Sequence, residues 1–191
     1  KGVFQHLHGS GFEVGQALVK HPLTKAVGFT GSLAGGKALF DLACQRTQPI
    51  PVFAEMSSIN PVVLLPETLN QQAEKTATAL VGSITLGVGQ FCTNPGLIVA
   101  IQNEGLDRFI KSLSEGITGA LPGTMLHQGI ADNYNKRLNH SLEQKGVTVE
   151  GQSSTNANVS QGKPSVASTQ ASTFLKNPLL AEEVFGPFSL I

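Results

Sequence analysis

Helical and strand periods alternate along this chain. Residues 11–20 place Phe12, Ala17, Leu18 and Val19 near one helical face, and His21-Pro22 closes the element. Lys25-Ala-Val-Gly-Phe-Thr30 then reads as a buried strand and Gly31-Ser-Leu-Ala-Gly-Gly36 as a glycine turn. Lys37–Arg46 follows as a helix with Leu39, Leu42 and Ala43 on its apolar face, and Ile50–Glu55 is a second short strand. A helix of that length between two short strands predicts a right-handed crossover with parallel strands, so residues 25–55 form one β-α-β unit.

Val62–Leu65, an aliphatic run bracketed by Pro61 and Pro66, predicts another strand. Asn70–Leu86 carries Ala73, Ala77, Leu80, Val81 and Ile84 on one face and predicts the longest helix. It runs into a loop, 87–96, fixed by glycines and a proline, after which Leu97–Ile101 resumes as a strand. Helices are expected at Glu104–Ile117 and Ala131–Gln144. Ser, Thr, Asn and Gln dominate 151–162, which predicts an exposed loop with no core to contribute. No internal repeat is present. The chain stops on Glu183-Val-Phe-Gly-Pro-Phe-Ser-Leu-Ile191, an apolar strand that wants partners on both sides. It is therefore expected to be a piece of a longer protein, the alternative being an edge strand docked on its own sheet.

Composition narrows the partners. The 191 residues hold 13 basic and 13 acidic side chains, a formal net charge of zero. Without a positive field, neither nucleic acid nor a membrane surface is an expected partner. Only 14% of residues are charged, against about 25% in typical domains. The chain is thus expected to hide much of its surface, some of it against other subunits or domains. No apolar run approaches the roughly 20 residues of a membrane span. Cys44 and Cys92 make no disulfide framework and no zinc site, so a reducing, cytoplasmic setting is expected. The histidines form no metal pattern stronger than His6-x-His8, and no metal site is expected.

Several residues carry possible chemistry, each with a plainer alternative. Gly31–Lys37 follows a strand and opens a helix, where free amides favour an anion. The string nearly matches the phosphate-binding Gly-x4-Gly-Lys pattern but has Ala38 where a hydroxyl must hold magnesium, and Leu33 breaks the dinucleotide fingerprint. A phosphate site and a merely tight turn both remain open. Cys92 lies in a constrained loop of small residues, whereas Cys44, inside an Ala- and Leu-rich helix, reads as a small buried hydrophobe. A nucleophilic thiol needs access and a stabilising field; otherwise Cys92 is structural. Glu55, closing the apolar strand Val52-Phe53-Ala54, is either a base or a strand-end acid facing water. Glu182-Glu183 before Val-Phe-Gly-Pro187 is either part of a site or a solvated acidic pair.

Taken together, Phe29-Thr-Gly-Ser32, Glu55, Gly89-Gln-Phe-Cys92-Thr and Glu182-Glu183-Val-Phe-Gly-Pro187 occur in the order found in the aldehyde dehydrogenase superfamily, and the resemblance covers essentially the whole chain. Glu55-Met-Ser-Ser-Ile-Asn-Pro61 and Gly89-Gln-Phe-Cys-Thr-Asn-Pro-Gly96 look like its bacterial 2-oxoglutarate semialdehyde (2,5-dioxovalerate) branch. The resemblance implies an α/β fold: residues 1–55 a remnant of a Rossmann-like NAD(P)-binding domain, and 56–191 the thiol-bearing catalytic domain, with a mostly parallel sheet flanked by helices and truncated at its C-terminal end. It implies that Cys92 attacks the aldehyde, that the thiohemiacetal loses hydride to NAD or NADP, and that Glu55 activates water against the resulting thioester. Ser32 matches a cofactor-phosphate contact, Gly31 and Gly36 the glycines that let the cofactor approach, Glu183 the acid that holds the nicotinamide ribose, and Phe185 an aromatic beside the nicotinamide. Most members follow the general-base Glu with Leu-Gly-Gly-Lys, and this chain departs from them with Met56-Ser57-Ser58-Ile59. The implied protein takes a small aldehyde and is a homo-oligomer when full length, and this piece alone is expected to be inactive. A P-loop nucleotide hydrolase using Gly31–Lys37 and a non-catalytic interaction fragment are the alternatives.

Overall fold

The computed structural model describes residues 2–9 and 11–191, and the chain divides into two compact units, the first ending at Ser57 and the second running from Ser58 to Ile191.

In the first unit, helix α1 (Glu13–Lys20) precedes strand β1 (Val27–Gly31), helix α2 (Leu33–Cys44) and strand β2 (Val52–Met56). The two strands pair in parallel, with Thr30 opposite Glu55, as the β-α-β pattern predicts. Arg46 fastens α1 to this unit: its guanidinium donates to the carbonyls of Val19, His21 and Thr24, the last two at 2.8 and 3.1 Å. Alternate strand residues separate the two faces. Phe29 and Met56 meet the glycines of α2, while Thr30, Phe53 and Glu55 are exposed.

Two expectations change here. The helix begins at Leu33 rather than Lys37, because Ser32 serves as its N-cap and accepts a bond from the Gly35 amide at 3.1 Å. Cys44 is exposed rather than buried. It is the last residue of α2, and the roughly 100° between successive helical residues turns it away from the face where Ala43 is buried.

The second unit is a five-stranded sheet in the order β3-β4-β9-β8-β6, built from β3 (Pro61–Leu64), β4 (Leu97–Ala100), β6 (Val147–Gln152), β8 (Ser165–Thr169) and β9 (Phe188–Leu190). All neighbours are parallel except β6, which runs antiparallel to β8. The fold is α/β with a mostly parallel sheet flanked by helices. β9 is central, so the terminal apolar segment does have a partner on each side.

Neighbouring residues of β8 reveal the layers. Val166 joins one core with Leu69, Ala73 and Ile84 of α3 (Pro66–Thr85) and Phe109, Leu113 and Ile117 of α4 (Glu104–Gly119). Ala167 joins another with Ala131, Tyr134 and Leu138 of α5 (Gln128–Leu142), together with Phe188 and Leu190. Helices therefore cover both faces, which a parallel sheet requires. α3 starts four residues ahead of the predicted Asn70 because Pro66, read from sequence as a bracket of the strand, occupies the first helical position with its φ already suited to it.

The segment 151–162 is not simply an exposed loop. Gly151 and Ser153 are buried, and the short β5 (Gly123–Thr124) pairs with β7 (Gln161–Gly162). A Cβ at Gly151 would lie 2.9 Å from the Ser114 backbone, and Ser153 Oγ donates to the Ala120 carbonyl at 2.6 Å. Small polar residues are what this close approach to α4 allows.

Tyr134 is wholly buried, and desolvation holds its phenol well above the ordinary pKa, so it remains a donor. Its hydroxyl donates to the carbonyls of Lys163 at 2.6 Å and Pro187 at 3.3 Å. Tyr134→Phe keeps the ring but removes one donor from each carbonyl, which the Ser165 hydroxyl and amide still reach. The protein should lose about 0.5–1.5 kcal/mol of stability, measured as a lower midpoint in chemical denaturation.

Candidate active site

Cys92 sits in the second unit on the loop between α3 and β4. The chain leaves α3 through a 3₁₀ turn, Leu86–Gly89, whose Gly87, Val88 and Gly89 all have positive φ (54, 60 and 64°). For the β-branched Val88 this conformation is costly, of order 1–3 kcal/mol. Val88 is partly buried against the core that contains Tyr134, which helps hold it there. Gly89 has no alternative. A Cβ there would fall 2.3 Å from the backbone of Gly186, and Gly186 lies so close to the Tyr134 ring that its own Cβ would meet it at 2.2 Å. Two glycines thus stack the thiol-bearing loop on the Gly186-Pro187 turn.

Side-chain amides fix the rest of the loop. The Cys92 carbonyl accepts from Ser58 Oγ at 2.6 Å and from Asn60 Nδ2. Asn60 Nδ2 also reaches the Asn94 carbonyl at 3.3 Å. Asn94 Nδ2 in turn donates to the carbonyls of Gly186 and Phe188, at 3.2 and 3.4 Å, while its Oδ1 is buried without a partner. The thiol itself belongs to an exposed residue. Its chain neighbour Phe91 and the nearby Asn94 line a cleft together with Ser58, Glu183 and Phe185, although Cys92 itself does not line it.

The two adjacent acids have different partners. Glu182 pairs with Arg137. Glu183, half-buried, accepts the Ser58 amide on Oε1 at 3.1 Å and lines the cleft with Phe185. The second unit thus brings Cys92, Glu183 and Phe185 to one region. Ser58, Asn60 and Asn94, which the sequence did not mark as site residues, are the ones that hold it. The available signal was the Asn-Pro pair: of the three in the chain, Asn60-Pro61 opens β3 and Asn94-Pro95 lies just before β4, while Asn177-Pro178 opens a 3₁₀ turn.

In the first unit, Glu55 is exposed on β2, on the face opposite α2. Ser32 and Gly31 lie at the C-terminal end of β1, a position where open α/β sheets present ligands. The N-terminus of α2 carries no acidic residue in its first turn, and Ser32, Leu33 and Ala34 are exposed, so its positive end fits an anionic group. Gly36 is buried, and a Cβ there would meet Met56 Sδ at 2.2 Å; a Cβ at Gly31 would lie 2.7 Å from the Phe29 ring. Both glycines therefore serve packing inside the unit. Lys37 sits a turn inside the helix with its ammonium 2.9 Å from an Asp41 carboxylate oxygen, not at the helix entrance where a nucleotide hydrolase would need it. Among the described residues, no group of three His, Cys, Asp or Glu side chains is placed to hold a metal, and no helix is long and apolar enough to cross a membrane.

This arrangement has known counterparts. The fold matches proline utilization A from Bradyrhizobium japonicum with a TM-score of 0.79 at 19% identity, over 95% of this chain and 19% of that one. It matches an NAD-dependent benzaldehyde dehydrogenase from Corynebacterium glutamicum with a TM-score of 0.74 at 21% identity, over 95% of this chain and 39% of that one. The chain belongs to the aldehyde dehydrogenase family, whose sequence model matches residues 1–191. Among its relatives are alpha-ketoglutaric semialdehyde dehydrogenase 2 of Azospirillum brasilense, 48% identical over 190 residues, and alpha-ketoglutaric semialdehyde dehydrogenase of Acinetobacter baylyi, 44% identical over 191. Each match takes in 100% of this chain but only 36% of the relative's length.

Gly89 and Gly82 make an internal comparison. Gly82 lies in α3 with nothing within 4 Å of its Cβ position, so Gly82→Ala should stabilise the full-length protein by about 0.4–1 kcal/mol. Gly89→Ala should lower the melting temperature by several degrees, since it adds a left-handed φ penalty of about 1–2 kcal/mol to a backbone clash. Thermal melts of the two variants check both signs.

Proposed function

We propose that this chain is part of an NAD(P)-dependent aldehyde dehydrogenase that oxidises 2-oxoglutarate semialdehyde to the carboxylate, with Cys92 as nucleophile. The observation that carries the reading is an exposed thiol on a loop whose backbone is tied at both ends, in a chain 44–48% identical to proteins named for that aldehyde.

The chemistry divides into two halves. The Cys92 thiolate adds to the aldehyde carbon, forming a C–S bond and an oxyanion, and the Cys92 amide is one donor to that oxyanion. When bound, the nicotinamide supplies the two-electron acceptor for the hydride that leaves this carbon. Collapse leaves a thioester on Cys92. Glu55 takes a proton from water, the hydroxyl oxygen attacks the thioester carbon, and the C–S bond breaks to release the acid and the thiolate. The reading requires Glu55 to reach that water.

The chain's remaining residues would hold the dinucleotide. Ser32 and the acid-free N-terminus of α2 suit a phosphate, with Gly31 just before them and Gly36 packed against Met56 behind. Glu183 has one oxygen on the Ser58 amide, which leaves the other to accept from a ribose hydroxyl, and Phe185 offers an apolar surface in the same cleft. The full-length protein is proposed to be a homo-oligomer.

Full-length variants test the roles. Cys92→Ala should abolish NAD(P)H formation while Cys44→Ala, at the other exposed cysteine, leaves it intact. Glu55→Gln should give a burst of about one NAD(P)H per site followed by turnover slowed at least 100-fold, because the thioester forms but is not hydrolysed. A Cys92→Ala enzyme with normal turnover would overturn the reading.

A further inference from the structure

Ser58 is bonded to two members of the proposed site at once. Its hydroxyl donates to the Cys92 carbonyl at 2.6 Å and accepts from Asn60 Nδ2 at 3.1 Å, while its backbone amide donates to Glu183 Oε1 at 3.1 Å. A serine hydroxyl has one proton to give and lone pairs to accept, so these bonds are mutually consistent. The residue is otherwise exposed and belongs to no core cluster. Its side chain therefore has no packing role that would explain it.

We propose that Ser58 is a positioning residue: its hydroxyl fixes the peptide plane that follows Cys92, and its amide fixes the carboxylate of Glu183, so that thiol and acid are held in one geometry. The inference rests on the reading of Cys92 as nucleophile. The Cys92 carbonyl belongs to the peptide that joins Cys92 to Thr93, and two donors on that oxygen restrict its rotation. Restricting it restricts where the thiol can point. Asn60 cannot hold this peptide alone, because its single amide group is shared among Ser58 Oγ, the Cys92 carbonyl and the Asn94 carbonyl. Asn60 also takes a left-handed backbone, with φ of 41°, in the position before Pro61. The Ser58 hydroxyl orients that amide by accepting from it.

The test uses the full-length protein with 2-oxoglutarate semialdehyde and compares Ser58→Ala, Ser58→Thr and Cys92→Ala with the parent. Ser58→Ala should lower kcat roughly tenfold, the kind of loss that a slightly misplaced reacting group produces, and leave the aldehyde KM within about twofold. Its melting temperature should match the parent, and Ser58→Thr, which restores a hydroxyl, should recover most of the lost kcat. A Ser58→Ala enzyme with parental kcat, while Cys92→Ala is inactive, overturns the positioning role and leaves the nucleophile reading standing. A loss of kcat that follows a fall in melting temperature and is not recovered by Thr also overturns it, since that is the signature of a merely structural residue. An active Cys92→Ala enzyme removes both.

Discussion

The contact on which the second unit depends is between two backbones. Gly89 lies against Gly186 more closely than any side chain permits, and Gly186 lies as closely against the Tyr134 ring. Three layers are thereby stacked without a spare atom: the loop that leaves α3, the turn that enters β9, and an aromatic ring from α5. Cys92 follows the first of these by three residues, and Glu183 precedes the second by three. A thiol and a carboxylate from distant parts of the sequence thus take their places from a dense core. Sites held by packed elements keep their geometry better than sites on free loops. Tyr134 adds to the stack through its buried hydroxyl, which ties the Lys163 and Pro187 carbonyls together.

Much of the fold was legible because its strongest elements carry unambiguous periods. The apolar faces of Asn70–Leu86 and Glu104–Ile117 correspond to α3 and α4, and the β-α-β reading of 25–55 to β1, α2 and β2. What escaped has physical reasons. β8, Ser-Val-Ala-Ser-Thr, is buried where it crosses the core, yet it is built of small and hydroxyl-bearing residues, so it looks neither like an alternating strand nor like an aliphatic run. Small residues are needed there because helices press on both faces. β6 is an edge strand with a bulge between Val149 and Gly151, which interrupts the period that would have announced it. The Ser32 cap was hidden inside a glycine string that suggested a loop, although a serine three residues before a helical glycine can satisfy that amide itself.

The candidate site was legible as a set of residue types in a fixed order and much less so as an arrangement. Sequence order singled out Cys92 over Cys44, but the reason offered for dismissing Cys44, burial, does not hold: both thiols are exposed. What separates them is their surroundings. Cys44 ends a helix, whereas the backbone around Cys92 is gripped by Ser58, Asn60 and Asn94. The grip involves a hydroxyl, two side-chain amides and the carbonyls they meet across 32 to 94 positions, and no periodicity records such bonds. Glu182 and Glu183 illustrate the same point. As neighbours in a strand-like segment they point different ways, and only tertiary structure shows that one meets Arg137 and the other the Ser58 amide.

The variant stretch Met56-Ser57-Ser58-Ile59 falls where the two compact units meet in sequence, and its serines serve different units. Ser57 Oγ accepts the Leu33 amide at 3.2 Å, inside the first unit, and so adds a cap to the start of α2 beside that of Ser32. Ser58 bonds the Cys92 carbonyl and Glu183 inside the second. Glycines at these two positions would provide neither hydroxyl. Ser57 also has a positive φ of 41°, a conformation glycine adopts without strain and serine does not. A sequence that keeps serine there accepts a conformational cost of about 1–2 kcal/mol, and gains a capped helix on one side. On the other side, Ser58 gives it a hydrogen-bonded Cys92 peptide. Side-chain hydrogen bonds from two adjacent serines thus anchor the start of α2 within the first unit and the Cys92 loop within the second.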